Sequence, residues 1–261
     1  MRVKSIIYAG MMIALVFVAT FVIKIPIPFT QGYIHAGDAM IFLASILFGP
    51  LIGGLAGGIG SAMADLFGGY AIWALPTLII KFFMGYLVGF FGYKTEKRKK
   101  SKKFYISLSG VAIWAIFGIW VSNTLNNLLV DIQDKERATE LMKQMQVTTQ
   151  DALVSTISNV QTTIIVASII IPLIILFLSL LLKNKDKYLF SFSTLIGMTL
   201  SGLWMIITYF FTEILIYGNV ILPIFGIPWN IVQFGGGLVI AYIIIFSLKR
   251  LKIFKNEENT Q

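Results

Sequence analysis

Cysteine is absent from this 261-residue chain, and histidine occurs once. Disulfides, thiolate metal sites and cysteine nucleophiles are therefore excluded, and the redox compartment is left open. One imidazole, His35, with no HExxH pattern gives no basis for a metal-dependent or other intramembrane enzyme, and no resident cofactor is expected. No glycine loop is followed by Lys-Ser/Thr, so the chain does not hydrolyse ATP itself. Charge is scarce as well. Only 13% of residues are charged and 57% are hydrophobic, whereas soluble domains are about a quarter charged. The composition is that of an integral membrane protein with little room for a soluble domain. Its net charge of +9 does not indicate nucleic acid, because the basic residues gather at the ends of apolar runs, as topology signals do.

What is present is a series of apolar spans. A helix needs about 20 apolar residues to cross the hydrocarbon core. The opening MRVKSIIYAGMMIALVFVAT has a basic start and an apolar run like a signal peptide, but the run continues to Ile23 and reads as a retained first span from about Ser5. Pro26 and Pro28 then break the helix, and IPIPFTQGYIHAG reads as an irregular connector. A short second segment covers Gly37 to Phe48, the third about Leu51 to Phe67, and the fourth about Trp73 to Gly92. The basic loop KTEKRKKSKK occupies residues 94–103, and a fifth span runs from Phe104 to about Val121. Residues 123–157 are polar, with Leu141, Met142 and Met145 at helical spacing, and read as an amphipathic excursion outside the bilayer. The sixth span is about Val160–Leu182, the seventh Leu189–Tyr217 and the eighth Trp229–Leu248, with 218–228 as a turn before the last.

Orientation follows from Lys plus Arg. With alternating sides, sixteen fall on the side of Arg2, Lys4, the 94–103 loop, Lys183, Lys185, Lys187 and the tail, against four at Lys24, Lys135, Arg137 and Lys143. Both termini are therefore expected in the cytoplasm of a multi-pass cell-membrane protein. At 1.5 Å per residue, Asp38 and Lys81 each sit roughly 18 Å, and Asp65 roughly 22 Å, above the nearest cytoplasmic turn. Within a core of about 30 Å these three ionisable groups share the outer half. Ionisable residues inside spans are costly and face a polar cavity or a partner. Glu213 lies near the outer end of its span and could join them.

Above this layer Tyr33, Tyr70, Trp73, Tyr217, Asn219, Trp229, Asn230 and Gln233 form an aromatic and amide rim suited to a small planar polar molecule. Each group also has a plainer reading. Tyr70, Tyr217 and Trp229 fit interfacial anchors. Asp65 and Lys81 fit a structural ion pair. His35 fits a cap of the second helix, and Asp38 a helix N-terminal cap or dipole partner. In GPLIGGLAGGIGSAMAD, residues 49–65, glycines recur at four-residue spacing, the mark of close helix packing.

The stretch from IPIPFTQGYIHAGDAM through LPTLIIKFFMGYLVGFF, together with YFFTEILIYGN…GIPWNIVQFGGGLVIAYII, resembles the substrate-binding S component of energy-coupling-factor (ECF) vitamin transporters. The resemblance covers about residues 1–93 and 189–250. It implies an all-α six-helix bundle that captures a vitamin or precursor outside, docks on a membrane coupling subunit carrying two ATPases, and topples in the bilayer to release its cargo. The family's docking motif on the first helix is matched by Gly10 and Ala14, whose other reading is ordinary packing. Among the family's branches the resemblance favours pyridoxine-like or thiamin-precursor cargo. Residues 94–188, holding the basic loop and two extra spans with the excursion, depart from the family pattern. They divide the core into 1–93 and 189–250, before a tail at 251–261, and give about eight spans.

The expected binding residues are Asp38, Asp65 and Lys81 as a polar floor, with His35, Tyr33, Trp73, Trp229, Asn230 and Gln233 at the mouth and Glu213 near it. No nucleic acid, metal or enzymatic role is expected. The alternative is a self-sufficient secondary transporter using Asp38, Asp65 and Lys81 as an ion or proton relay. Such carriers often contain two similar halves, and no second copy of the 37–92 pattern occurs.

Overall fold

A computed structural model of the chain describes residues 3–27, 30, 32–93, 100–181 and 192–250. Pro28, residues 94–99, Lys183, Lys185, Lys187 and the 251–261 tail lie outside the described residues. The described chain is a polytopic helical bundle, with seven helices long and apolar enough to cross a membrane and one shorter apolar helix.

The first helix, α1 (Val3–Val22), packs on α2 (Gly37–Phe48) and α3 (Pro50–Phe67). α2 has 12 residues, roughly 18 Å, too short to span alone. It is sheltered by α1, α3, α4 (Ala71–Gly92) and α9 (Ile221–Arg250), so Asp38, Ala39, Ile41, Phe42, Ala44 and Ser45 are all buried. Gly49 joins α2 to α3 at φ 91°, a left-handed conformation that glycine adopts without Cβ strain, and Pro50 opens α3 at a position where no N–H is needed. The glycine ladder then sets the α3–α4 approach. A Cβ on Gly85 would strike the Gly53 carbonyl, and one on Gly57 would strike the Lys81 carbonyl. The small residues thus bring Lys81 up against the back of α3.

Four boundaries differ from the sequence reading. The connector after α1 is an antiparallel ribbon, β1 (Lys24–Pro26) on β2 (Tyr33–His35), with Lys24 opposite His35 and Pro26 opposite Tyr33. Backbone groups that leave a helix near the bilayer need partners, and the ribbon supplies them; Pro26 is tolerated because each strand is an edge. The basic loop ends earlier, since helix α5 (Lys100–Asp131) already begins at Lys100. The 123–157 stretch is largely helical. α5 continues to Asp131, α6 covers Lys135–Gln144, and α7 (Gln150–Leu181) starts ten residues before the expected Val160. Leu128, Ile132, Leu141, Met145, Leu153 and Ile157 are buried there, so polar residues cover an outward extension of the bundle's hydrophobic core. Asp134 caps α6 by accepting from the Glu136 N–H at 2.8 Å. Finally, α9 begins at Ile221, with Pro228 inside it, and the expected 218–228 turn shrinks to the residues between α8 (Phe192–Tyr217) and Ile221.

α8 packs on α4 and α9. The α5–α7 hairpin leans on α8 and α9, with Phe117 and Trp120 edge-on to Phe210 at 5.9 and 5.6 Å. At 32 residues each, α5 and α7 are roughly 48 Å long, about 18 Å more than the hydrocarbon core. α6 joins the two long helices at the end away from Lys100.

Candidate functional site

α2 carries Asp38 in its first turn, where the helix dipole favours a carboxylate. No side chain caps this helix through its N-cap residue, Ala36. The cap comes from His35, whose Nδ1 accepts the Gly37 N–H at 3.1 Å. This bears out the capping reading of His35. Asp38 is fully buried and paired with an equally buried Lys81 at 2.5 Å. Lys81 therefore has Asp38 as its partner rather than Asp65, and its ammonium also touches the Met205 sulfur at 2.9 Å. Gln233 on α9 completes the floor. Its amide donates to Asp38 Oδ2 at 3.0 Å and its carbonyl accepts the His35 N–H at 3.1 Å. One α9 side chain thus fastens both the floor and the ribbon.

Asp65, near the outer end of α3, accepts from the Tyr33 hydroxyl at 2.6 Å. The ribbon is anchored a second time through this bond. Burial first, and then the Asp65 carboxylate, push the Tyr33 phenol well above its usual range. His35 moves the opposite way: loss of hydration, reinforced by Lys81, lowers its pKa to about 3. The imidazole is accordingly neutral at ordinary pH, and its accepting Nδ1 leaves the proton on Nε2. Lys24 lies over the rings of Phe21, Tyr33 and Tyr70, 4.3, 5.2 and 5.6 Å from their centroids. Tyr33 and Tyr70 are 4.6 Å apart. This aromatic nest ties α1, the ribbon and the α3–α4 turn together.

The remaining wall is aromatic. Trp73 is buried, with its ring 6.2 Å from Tyr209 and 6.4 Å from Tyr217. Tyr209 donates to Thr77 Oγ1 at 3.2 Å, and its ring lies 5.5 Å from the Lys81 ammonium. Asn230 and Glu213 are buried and Trp229 is half-buried. Asn219 caps α9 by accepting the Leu222 N–H at 3.0 Å, so its role in the rim is structural. Three residues not singled out by sequence belong to this cluster: Thr77, Met205 and Tyr209. Helical spacing is the signal that could have found them, since Thr77 precedes Lys81 by one turn and Tyr209 precedes Glu213 likewise. On α1, by contrast, Gly10 and Ala14 point outward, and a Cβ on Gly10 would meet nothing within 4 Å.

The arrangement is a saturated ionic floor, a ribbon latched to it and a wall of indole and phenol rings. Aromatic walls with a few polar groups are the kind of lining that suits small planar polar solutes.

Residues 1–176 match the family described as "ECF-type riboflavin transporter, S component". Among curated proteins, one from Pyrococcus woesei, named only as an uncharacterised protein in the gap 3′ region, is 57% identical over 74 residues, 28% of this chain and 49% of that protein. A UPF0397 protein of Streptococcus pneumoniae (strain Hungary19A-6) is 34% identical over 112 residues, 43% of this chain and 55% of its own. Another, from Lactococcus lactis subsp. cremoris (strain MG1363), is 33% identical over 124 residues, 44% and 66% respectively. The chain thus spans about half the length of the first of these relatives. No solved structure matches significantly.

Proposed function

This chain belongs to the S-component family of ECF-type transporters, and from that premise we propose that it captures a water-soluble, vitamin-like ring compound at the outer face of the cell membrane. A family of transporter subunits implies a small-molecule substrate and an ECF module as partner. Asp38, Asp65 and Lys81, with Gln233, make the floor of the site. Tyr33, His35, Trp73, Trp229 and Asn230 make its mouth, with Glu213 at its edge. α1–α4 with α8 and α9 enclose the proposed capturing core, while the family match at residues 1–176 runs on through α5, α6 and most of α7, so the hairpin expected to depart from the family falls inside the matched region. The observation that carries this reading is the buried polar layer at one depth, walled by Trp73 and Tyr209, in a sequence where no glycine loop is followed by Lys-Ser/Thr.

Transport then draws on partners: a membrane coupling subunit and two ATP-binding subunits. The outward-facing Gly10 and Ala14 on α1, with open space beyond Gly10, suit close approach of a partner helix. Riboflavin, named in the family description, and pyridoxine-like or thiamin-precursor compounds all have the flat ring that the site's walls accept. A self-sufficient carrier has less support, because Lys81 and Asp38 neutralise each other and Asp65 is held by Tyr33. Native mass spectrometry of the purified chain against B vitamins and their precursors tests the proposal. Tight capture without ATP or an ion gradient is expected. Absence of binding by demonstrably folded protein would overturn it.

A further inference from the structure

Buried polar atoms in folded proteins are nearly all hydrogen-bonded, so a group of them left unpaired in one place is informative. Within the outer layer, Asp38, Lys81, Gln233 and His35 satisfy one another. Three neighbours are not satisfied. Glu213 Oε2, Trp73 Nε1 and Asp65 Oδ2 are buried without a hydrogen bond of good geometry, although the Thr77 hydroxyl, which accepts from Tyr209, is close enough to turn toward Asp65. They come from three different helices, each near its outer end: Asp65 is two residues before the end of α3, Trp73 is the third residue of α4, and Glu213 is four before the end of α8. Tyr209 stands among them. Its ring faces Trp73 at 6.2 Å, and both Asp65 and Glu213 are close enough to act electrostatically on its phenol. Glu213 faces Gly226 of α9, where a side chain would crowd the carboxyl.

This set offers two acceptors and one donor beside flat aromatic faces. Among the described residues neither acceptor forms an ion pair: Lys81 is committed to Asp38, Lys24 sits among Phe21, Tyr33 and Tyr70, and both act on Asp65 only from a distance. In these low-dielectric surroundings an anion loses its hydration without gaining an ion-pair partner, and it meets like charge wherever a carboxyl is ionised, while N–H or O–H donors complete the carboxyl hydrogen bonds. We infer that the cargo is a ring compound carrying at least two N–H or O–H donors, directed at Asp65 and Glu213, and an acceptor for the Trp73 indole, with no negative charge. This rests on the capture reading above and narrows it to a chemical class.

Matched ligand pairs differing in one anionic group test the inference on the full chain in detergent or nanodiscs. Suitable pairs are riboflavin and riboflavin 5′-phosphate, pyridoxine and its 5′-phosphate, thiamin and its monophosphate, and nicotinamide and nicotinate. Calorimetry is expected to show one uncharged or cationic member binding at least about 100-fold more tightly than its anionic counterpart. Glu213→Gln and Asp65→Asn are each expected to weaken that binding by about 10-fold or more while the chain still unfolds cooperatively. Equal or tighter binding of the anionic member overturns the inference and leaves capture standing, and so does unaltered affinity in both variants. Failure of every pair to bind to folded wild-type chain overturns the capture reading and this inference with it. The wild-type comparison needs no variant, so poor folding of either substitution does not block the test.

Discussion

Asp38 and Lys81 show how a buried pair changes what a substitution means. From sequence, Asp38 reads as a ligand contact whose removal weakens binding and leaves the fold intact. In the structure its loss would leave the Lys81 ammonium fully buried beside a thioether. Breaking such a pair from one side costs about 3–5 kcal/mol, whereas replacing both partners with apolar groups is often neutral. Asp38→Ala is therefore expected to lower the unfolding temperature sharply, and Asp38→Leu combined with Lys81→Met to recover most of it, as followed by thermal unfolding in detergent. His35 supplies a pH dependence. Folded chain keeps this imidazole neutral down to about pH 3, while the unfolded chain protonates it near 6.5. The unfolded state gains the proton first, so the His35 contribution is complete above about pH 6.5 and is lost as pH falls toward 3. Comparing unfolding temperatures at pH 7 and 5, His35→Gln should show a smaller drop than wild type; an equal drop would remove His35 as the source. The ionisable residues were legible because charge inside an apolar run stands out. Their pairing was not, since Asp38 and Asp65 lie at similar depth and only the glycine-set approach of α4 decides which one Lys81 meets. Thr77, Met205 and Tyr209 escaped notice because each is unremarkable inside a span.

Among the elements, the α3–α4 crossing carries the tightest backbone contact near the site. Gly85 abuts the Gly53 carbonyl, whereas Gly235 on α9 has open space around it. Gly85→Val is expected to destabilise by about 1–3 kcal/mol or more through overpacking, and Gly235→Ala to stay within about 0.5 kcal/mol. Thermal unfolding of the two variants side by side checks the contrast. The spans themselves were readable from apolar runs, and the α3 glycine ladder announced close packing. The ribbon was not readable, because strand pairs of three residues have no period to detect, and Pro26 reads as a breaker. The start of α9 was hidden by Pro223, Gly226 and Pro228, which look like a turn. In the structure Pro223 lies in the first turn, and Pro228 is accommodated inside the helix.

For the molecule as a whole, the proposed function assigns binding and delivery to separate surfaces. The polar layer is enclosed by α2, α3, α4, α8 and α9, while Gly10 and Ala14 face outward on α1. Gly10→Leu adds bulk only to open space, so the purified variant should bind cargo like wild type, while uptake in cells falls to near background. Normal uptake would rule out α1 as the docking face. The membrane class was open to reading from composition and the family from residues 25–91 and 209–244, but the length of the α5–α7 projection was not, since its outer half is polar and looks like loop. That projection gives the bundle an outrigger. α6 carries Lys135, Glu136, Arg137, Glu140 and Lys143 on its exposed surface. If delivery involves tipping in the bilayer, as the family resemblance implies, a tilt that lowers this tip into lipid would submerge those charges, at roughly 2.5–3.5 kcal/mol for each cation near the centre. Tipping toward the opposite side lifts them clear. On that reading, the same hairpin that lengthens the protein would make its tipping one-handed.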